Sequence, residues 1–390
     1  MTVRSIRAVA IDDARTAQGR TLPQLLCDRA REHSRSNAIV SKRAGVWRRR
    51  PWSDVIQQVR LYARGLSAVG FVRDEVIAIV SENMEEQFLL QMAALCVGGR
   101  VVAAYPDASA EELGYLLDHS QAAMVVGEDQ EQIDKILSAR AVAQNIRMVF
   151  HIDGRGLWNY QATGLNPLAK LLEAGRAFRD DEWLDGEIAR GQQGDVAVYC
   201  YTSGTTGRPK AAMLSHAFIL DNAYRLMASL GVQPGARYLS YISPAWAAEQ
   251  YFGFGLAMLA PMVLHYAEKP ETVQKDLREV GPEYLLFTPR QWEMLASSVE
   301  ARMMRAGSGV PFSRGAWRLA VPVRPPPPAR LSEACCGHLP TCWYSAVCAT
   351  CWGYPRQKVC SAVAPAYRPN CSPASMHSAF HSATCMDQRN

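Results

Sequence analysis

The stretch Tyr201-Thr-Ser-Gly-Thr-Thr-Gly-Arg-Pro-Lys210 constrains this chain most. Before it, Asp195-Val-Ala-Val-Tyr-Cys200 is short, apolar and partly β-branched, and reads as a strand. After it, Ala211 to Leu230 reads as a helix. Between them, Gly204 and Gly207 let the backbone approach a ligand closely. The hydroxyls of Thr202, Ser203, Thr205 and Thr206, with successive backbone N–H groups, can wrap phosphate oxygens. Lys210 adds a mobile positive charge. The P-loop of common nucleotide-binding proteins needs four residues between its first glycine and Gly-Lys-Ser/Thr. Here two residues separate Gly204 from Gly207, and Pro209 precedes Lys210. On these residues alone an ordinary polar turn stays open.

The rest of the chain supplies a scaffold for such a segment. Thr21-Leu-Pro23 starts a helix, with Thr21 as cap. Ala38–Val40 and Val46–Pro51 read as a hairpin turning through Lys42-Arg-Ala-Gly45, and Ser53 as the cap of a helix from Asp54 to Val69, stopped by Gly70. Val76–Val80, Arg100–Tyr105, Met124–Val126 and Met148–Ile152 read as strands. They alternate with helices near Met84–Cys96, Ala110–His119 and Glu131–Ala139. That alternation predicts an α/β fold with mostly parallel sheets flanked by helices. Gly154–Gly194 reads as a connecting region with short helices, its Asp180-Asp-Glu182 run as a solvated face. Further strands are expected at Arg237–Ile242, Met262–Tyr266 and Tyr284–Phe287, with an apolar helix reaching Leu259.

Composition excludes several classes. With 390 residues, 48% hydrophobic and 20% charged, the chain is long enough for a large core and too apolar for disorder. A net charge of +5 is too mild to argue for nucleic acid and suits anionic small molecules only weakly. The N-terminal Met-Thr-Val-Arg-Ser-Ile-Arg is not followed by the apolar run of a secretory leader, and no 18-residue apolar stretch occurs. The expected location is cytoplasmic, with peripheral contact at the inner membrane left open. No recognisable Ser/His/Asp order, His-Glu-x-x-His or catalytic carboxylate pair is present, and no metal ligands are assigned.

Tyr201 to Lys210, continuing through Ala-Ala-Met-Leu-Ser-His216, resembles the signature loop of the adenylate-forming, AMP-binding acyl-CoA synthetases. The resemblance implies that Thr202, Ser203, Gly204, Thr205, Thr206, Gly207 and Lys210 contact the phosphates of ATP. From Thr21 to about Glu293 the chain is similar to the N-terminal part of a bacterial long-chain fatty-acid–CoA ligase. Tyr105–His119 and Glu128–Lys135 share that likeness. It implies ATP, a fatty acid and coenzyme A as substrates, with Mg2+ alongside. Pro244–Gln250 matches a segment lining the acyl or nucleotide site, with Trp246 where that family often carries histidine. Trp246, Tyr251 and Phe252 are candidate pocket walls, and plain packing explains Trp246 equally. Lys210 and Glu249 are the candidate catalytic residues, although Glu249 also reads as a helix-start carboxylate. His216 reads as structural. An adenylate-forming ligase for another carboxylic acid and a non-catalytic nucleotide-binding remnant are the alternatives.

The character of the chain changes near Val323-Arg-Pro-Pro-Pro-Pro-Ala329. Of eleven cysteines, Cys27, Cys96 and Cys200 precede residue 331, and eight lie between Cys335 and Cys385. Cys348-Ala-Thr-Cys351 is one CxxC without a second pair at zinc spacing. A metal or disulfide module, a disordered tail and an out-of-frame segment compete, and the last fits the Pro/Cys/Ser/Ala enrichment best. The expected organisation is a polar lead-in (1–20), a partial AMP-binding domain (21–322) and an aberrant tail (323–390). The family's adenine strand, Tyr-Gly-x-Thr-Glu motif and C-terminal lysine are not found in residues 331–390, so this polypeptide is expected to be inactive or nearly so. Poor folding is expected with it.

Overall fold

The structure is a computed structural model that describes residues 19–202, 208–305 and 360–361. The expected tail at 323–390 therefore lies outside the described residues, apart from the two-residue strand Cys360–Ser361.

The chain enters on α1 (Leu22–Glu32). The Thr21 hydroxyl accepts the Gln24 N–H, and the Gln24 side chain accepts the Thr21 N–H, a reciprocal capping box. β1 (Asn37–Arg43) and β2 (Val46–Pro51) form an antiparallel hairpin. Its turn residues Ala44 and Gly45 both adopt positive φ, 50° and 77°, as a tight hairpin turn demands. α2 (Trp52–Ala68) starts earlier than expected. Pro51, not Ser53, is its N-cap and provides no side-chain bond, because burial of Trp52 draws the helix back to the strand end. Gly70, at φ 89°, ends that excursion as expected.

Then follow β3 (Val76–Val80), α3 (Glu85–Cys96), β4 (Arg100–Ala104), α4 (Ala110–His119), β5 (Ala122–Gly127), α5 (Gln130–Ala139) and β6 (Met148–His151). β7 (Leu165–Pro167), α6 (Ala169–Ala177), α7 (Asp181–Arg190) and β8 (Val196–Thr202) complete this part. Every residue of α3 except Glu86 is buried, which suits a helix apolar on all sides. Along β3 both alternating sets, Ile77 and Ile79 on one face and Val76, Ala78 and Val80 on the other, are buried. The sheet is therefore covered on both faces, as parallel sheets are. α4 and α5 cover the second face through Leu113, Leu117, Ile133 and Ile136.

The sheet order is β7-β6-β5-β3-β4-β8-β9, parallel except for its last pair. That exception corrects an expectation. Lys210–Ser215 form strand β9, antiparallel to β8, and the helix α8 (His216–Leu230) begins only at His216. Ala211 to Leu214 would suit a helix by propensity, but pairing with β8 satisfies the backbone groups along the β8 edge. The Ser215 hydroxyl then caps α8 by accepting the Phe218 N–H at 3.1 Å. His216 is buried and its Nδ1 accepts the Leu22 N–H at 3.3 Å. Burial holds its imidazole down at about 4, a structural role as expected.

The remaining elements are β10 (Arg237–Ser240), a helical run, β11 (Val263–Tyr266), α11 (Val273–Val280) and β12 (Tyr284–Leu285). The run comprises α9 (Ala247–Glu249), a π-helical Gln250–Gly255 and α10 (Leu256–Leu259). β10 is shorter than the expected Arg237–Ile242. Among residues 19–287 the second sheet runs β12-β10-β11-β1-β2, parallel but for the β1–β2 hairpin. A buried ion pair joins β1 to α11, with Lys42 Nζ 2.7 Å from Asp276 and 2.6 Å from Glu279. Lys42 also lies over the Trp47 ring, 5.3 Å from its centroid.

In the connecting region the Asp180-Asp-Glu182 run is exposed, as expected. Asp181 accepts from Arg60 and Arg64, at 3.0 and 2.6 Å, and Asp180 caps α7. α2 and α6 cross so closely that a Cβ at Gly65 would collide with the Leu171 carbonyl, and one at Gly175 with the Leu61 carbonyl. α12 (Pro289–Arg305) belongs to a separate unit beginning at Thr288, whose hydroxyl accepts the Gln291 N–H at 3.4 Å. Among the described residues no helix is long and apolar enough to cross a membrane. Cys27, Cys96 and Cys200 are free thiols.

Candidate functional site

β8 runs parallel to β4, with Val101 opposite Val198 and Val102 opposite Tyr199. Thr202, the last residue of β8, therefore lies toward the carboxyl end of the sheet, where open α/β sheets bind ligands. Residues 203–207 leave from there, and the chain returns at Arg208. Ser203, Gly204, Thr205, Thr206 and Gly207 lie outside the described residues. Their flanks are described. Thr202 pairs with Lys210 across the ladder, and the Thr202 hydroxyl donates to the Lys210 carbonyl at 3.4 Å. These flanks are the paired ends of two antiparallel strands. Lys210 is exposed, and among the described residues no carboxylate pairs with it.

α4 supplies contacts that sequence reasoning missed. The Tyr115 hydroxyl donates to the Pro209 carbonyl at 3.0 Å, and the Arg208 guanidinium lies 5.2 Å from the Tyr115 ring centroid. One turn on, His119 Nδ1 is 2.9 Å from the Tyr201 hydroxyl. The only sequence signal was that Tyr105–His119 shares the family likeness.

Glu249 sits elsewhere, in the core behind β10. It is fully buried. The Ser240 hydroxyl donates to its Oε1 at 2.5 Å, and the Tyr238 hydroxyl to its Oε2. Asn83, just past β3, donates to Ser240 Oγ at 2.9 Å and to the Ile242 carbonyl at 2.7 Å. Burial pushes the Glu249 carboxyl up to about 8, against the lowering effect of these hydroxyl donors. Gly253 makes room for it, since a Cβ there would strike Glu249 Oε1. Gln250 is held by Gln91 at 2.6 Å and by the Pro244 carbonyl at 2.6 Å. The polar groups of Pro244–Gln250 are therefore pinned to α3 and β10.

The three candidate wall residues separate. Trp246 is 44% exposed, Tyr251 is half-buried, and Phe252 is fully buried with its ring 5.2 Å from Tyr238. Phe252 thus packs in the core. No described hydrogen bond or ion pair links Lys210 to Glu249. Past the carboxyl ends of β3 and β5, burial raises Glu82 and Glu128; neighbouring carboxylates add to the rise at Glu82, and the Glu82 N–H opposes it at Glu128. Among the described residues no group of three His, Cys, Asp or Glu side chains could hold a metal ion. A cleft of about 770 Å³ lies along the face of β8–β9, lined by Tyr199, Tyr201 and Met213. It reaches Arg100 and Arg147, which are already paired with Asp74 and Glu75.

Mostly parallel sheets flanked by helices in this arrangement are the fold of adenylate-forming domains. The A domain of carboxylic acid reductase from Segniliparus rugosus, solved with AMP and a carboxylic acid, has this fold. It aligns with a TM-score of 0.64 at 15% identity, over 80% of this chain and 58% of that one. The luciferase-like enzyme of Zophobas morio aligns at 0.57 and 17% identity, over 69% and 60%. The chain belongs to the AMP-binding enzyme family, whose profile matches residues 26–346. It is 26% identical over 293 residues to a long-chain fatty-acid–CoA ligase of Xenopus laevis, covering 72% of this chain and 39% of that protein. A ligase of the same name from Mycobacterium tuberculosis is 26% identical over 271 residues, covering 69% and 44%. The chain thus spans about two fifths of the length of the curated relatives it matches.

Proposed function

We propose that this chain carries the phosphate-gripping part of an ATP-dependent ligase that activates a long-chain fatty acid. The reaction has two steps. A substrate carboxylate oxygen attacks the α-phosphorus of ATP, the bond to the bridging oxygen breaks, and pyrophosphate leaves with that electron pair. The thiolate of coenzyme A then attacks the acyl carbon and expels AMP, giving the thioester. Both steps build charge that must be neutralised and held in place. Lys210 and the hydroxyls and N–H groups of Thr202–Gly207 would steady the departing pyrophosphate. Glu249, deep in the core, would act by holding Tyr238, Ser240 and Asn83 in register beneath Pro244–Gln250. Trp246 and Tyr251 would border the acyl path.

The observation that carries this reading is the Thr202–Lys210 sequence on a hairpin at the carboxyl edge of a parallel sheet. The substrate class is supported by the names of the relatives. Because the chain spans about two fifths of their length, binding and turnover are tested separately. Calorimetric titration of the full chain with MgATP and with pyrophosphate tests binding. Lys210→Ala is expected to weaken both about tenfold, as loss of one charge-assisted contact does. Equal affinities for parent and variant would remove the phosphate assignment. ATP–pyrophosphate exchange with palmitate, benzoate and aspartate tests the substrate. Exchange with benzoate alone would replace the long-chain reading, and binding without any exchange would mark a nucleotide binder.

A further inference from the structure

We propose that the β1–β2 hairpin is a docking surface for an anionic phospholipid membrane, gripping it through Arg48 and Arg49 with Val46 at the tip. The proposal stands independently of the phosphate reading above. Residues 37–51 contain Lys42, Arg43, Arg48, Arg49 and Arg50 and no acidic residue. That charge equals the formal net charge of the whole chain, +5, so the other residues balance one another. The positive excess is concentrated on one hairpin.

Three of these cations are spent within the fold. Lys42 is buried against Asp276 and Glu279, Arg43 pairs with Glu86, and Arg50 lies 3.3 Å from Glu85. Arg48 and Arg49 are exposed, and among the described residues no carboxylate or other side chain pairs with their guanidinium groups. Arg48 stands opposite Ser41 and Arg49 opposite Val40, so their side chains leave on alternate faces and flank the outer edge of β2. Among residues 19–287, β2 is the last strand of its sheet, with no neighbour on that side. The hairpin is also held before any partner arrives. The Gly45 N–H donates to Glu268 at 3.1 Å and the Trp47 indole N–H to Glu279 at 2.8 Å.

The chemistry of this edge selects among partners. Charged side chains on an edge strand oppose the addition of another strand, so a partner meets the side chains and not the backbone. Two uncompensated cations are few for a grip on nucleic acid, whose binders neutralise many phosphates. Val46, 60% exposed at the turn, adds an apolar side chain beside the two guanidinium groups. A phospholipid surface takes both, with phosphate oxygens for the arginine forks and an apolar boundary for the valine.

Flotation of the full chain with vesicles tests the proposal, since bound protein rises with lipid while aggregates sink. The parent is expected to float with phosphatidylcholine vesicles containing phosphatidylglycerol, less so as salt is raised, and not with phosphatidylcholine alone. Arg48→Gln with Arg49→Gln should weaken binding about thirtyfold, or about five- to sixfold per arginine, with an unchanged melting temperature. Val46→Ser should weaken it about three- to tenfold. Arg176→Gln with Arg225→Gln removes the same charge from exposed positions on α6 and α8 and should leave flotation as in the parent. A parent that stays at the bottom, or equal losses from the two arginine pairs, would overturn the proposal. Poly-glutamate that binds as tightly as the anionic vesicles, with Val46→Ser unaffected, would replace the membrane with an acidic polypeptide. Self-association of the Arg48/Arg49 variant, from a parent that binds no vesicle, would reduce the two arginines to guards of the strand edge.

Discussion

Replacing Glu249 with glutamine should reverse how stability responds to alkali. The carboxyl is fully buried and is pushed from 4.5 up to about 8, chiefly by burial. The sign follows from proton binding. Between these two values the folded protein keeps a proton that the unfolded chain has released, so stability falls as pH rises through that window. The contribution is intact below 4.5 and lost above about 8. At about 1.4 kcal/mol per pH unit the whole loss is about 5 kcal/mol, of which about 2 kcal/mol falls between pH 6 and pH 8. Glutamine resembles the protonated carboxyl, offering one acceptor and one donor group to the Tyr238 and Ser240 hydroxyls, and does not titrate. His216 and His265, both held at about 4 by burial, gain stability with rising pH in the lower part of the range. They are common to both proteins and cancel in the difference. Urea unfolding of the full chain, followed by tryptophan fluorescence at pH 6 and pH 8, reads the effect. The stability of E249Q relative to the parent should rise by about 2 kcal/mol between these pH values. A constant difference, with parent and variant losing stability in parallel, would refute a neutral buried carboxyl.

Lys42→Met leaves the fully buried Asp276 without its 2.7 Å cation and should cost about 3–5 kcal/mol in urea unfolding. Adding Asp276→Leu should recover most of that loss, since no buried charge then remains unpaired. Gly175→Val drives methyl groups into the Leu61 carbonyl where α2 meets α6, and should lower stability by about 3 kcal/mol. Glu173→Ala, exposed on α6, serves as its near-neutral comparison in the same melt.

The parallel core was legible because its strands are short, apolar and separated by capped helices. Thr21 and Ser109 precede their helices in the pattern that capping boxes require, and Val76–Val80 can only be buried. The Tyr201–Lys210 segment was legible as a motif, because its residue types stand in one unbroken stretch. What failed was tertiary. Ala211–Leu214 carry no strand signature, and only the adjacent edge of β8 makes them one. The Asp180–Glu182 run is the solvated acidic stretch it reads as, but its pairing with Arg60 and Arg64, more than a hundred residues away, has no local signal. Nothing local marks Phe252 as core and Trp246 as exposed, since both are aromatic residues in one helical region. Tyr115 escaped notice for the same reason. Its partner is a proline carbonyl, which has no sequence signature.

The hairpin β8–β9 closes one margin of its sheet, since β9 pairs through β8 alone while β3, β4 and β5 hold one another at the centre. Unzipping β9 would therefore bare a single strand edge and leave the interior ladder standing, so disorder that starts at this margin has no direct route inward.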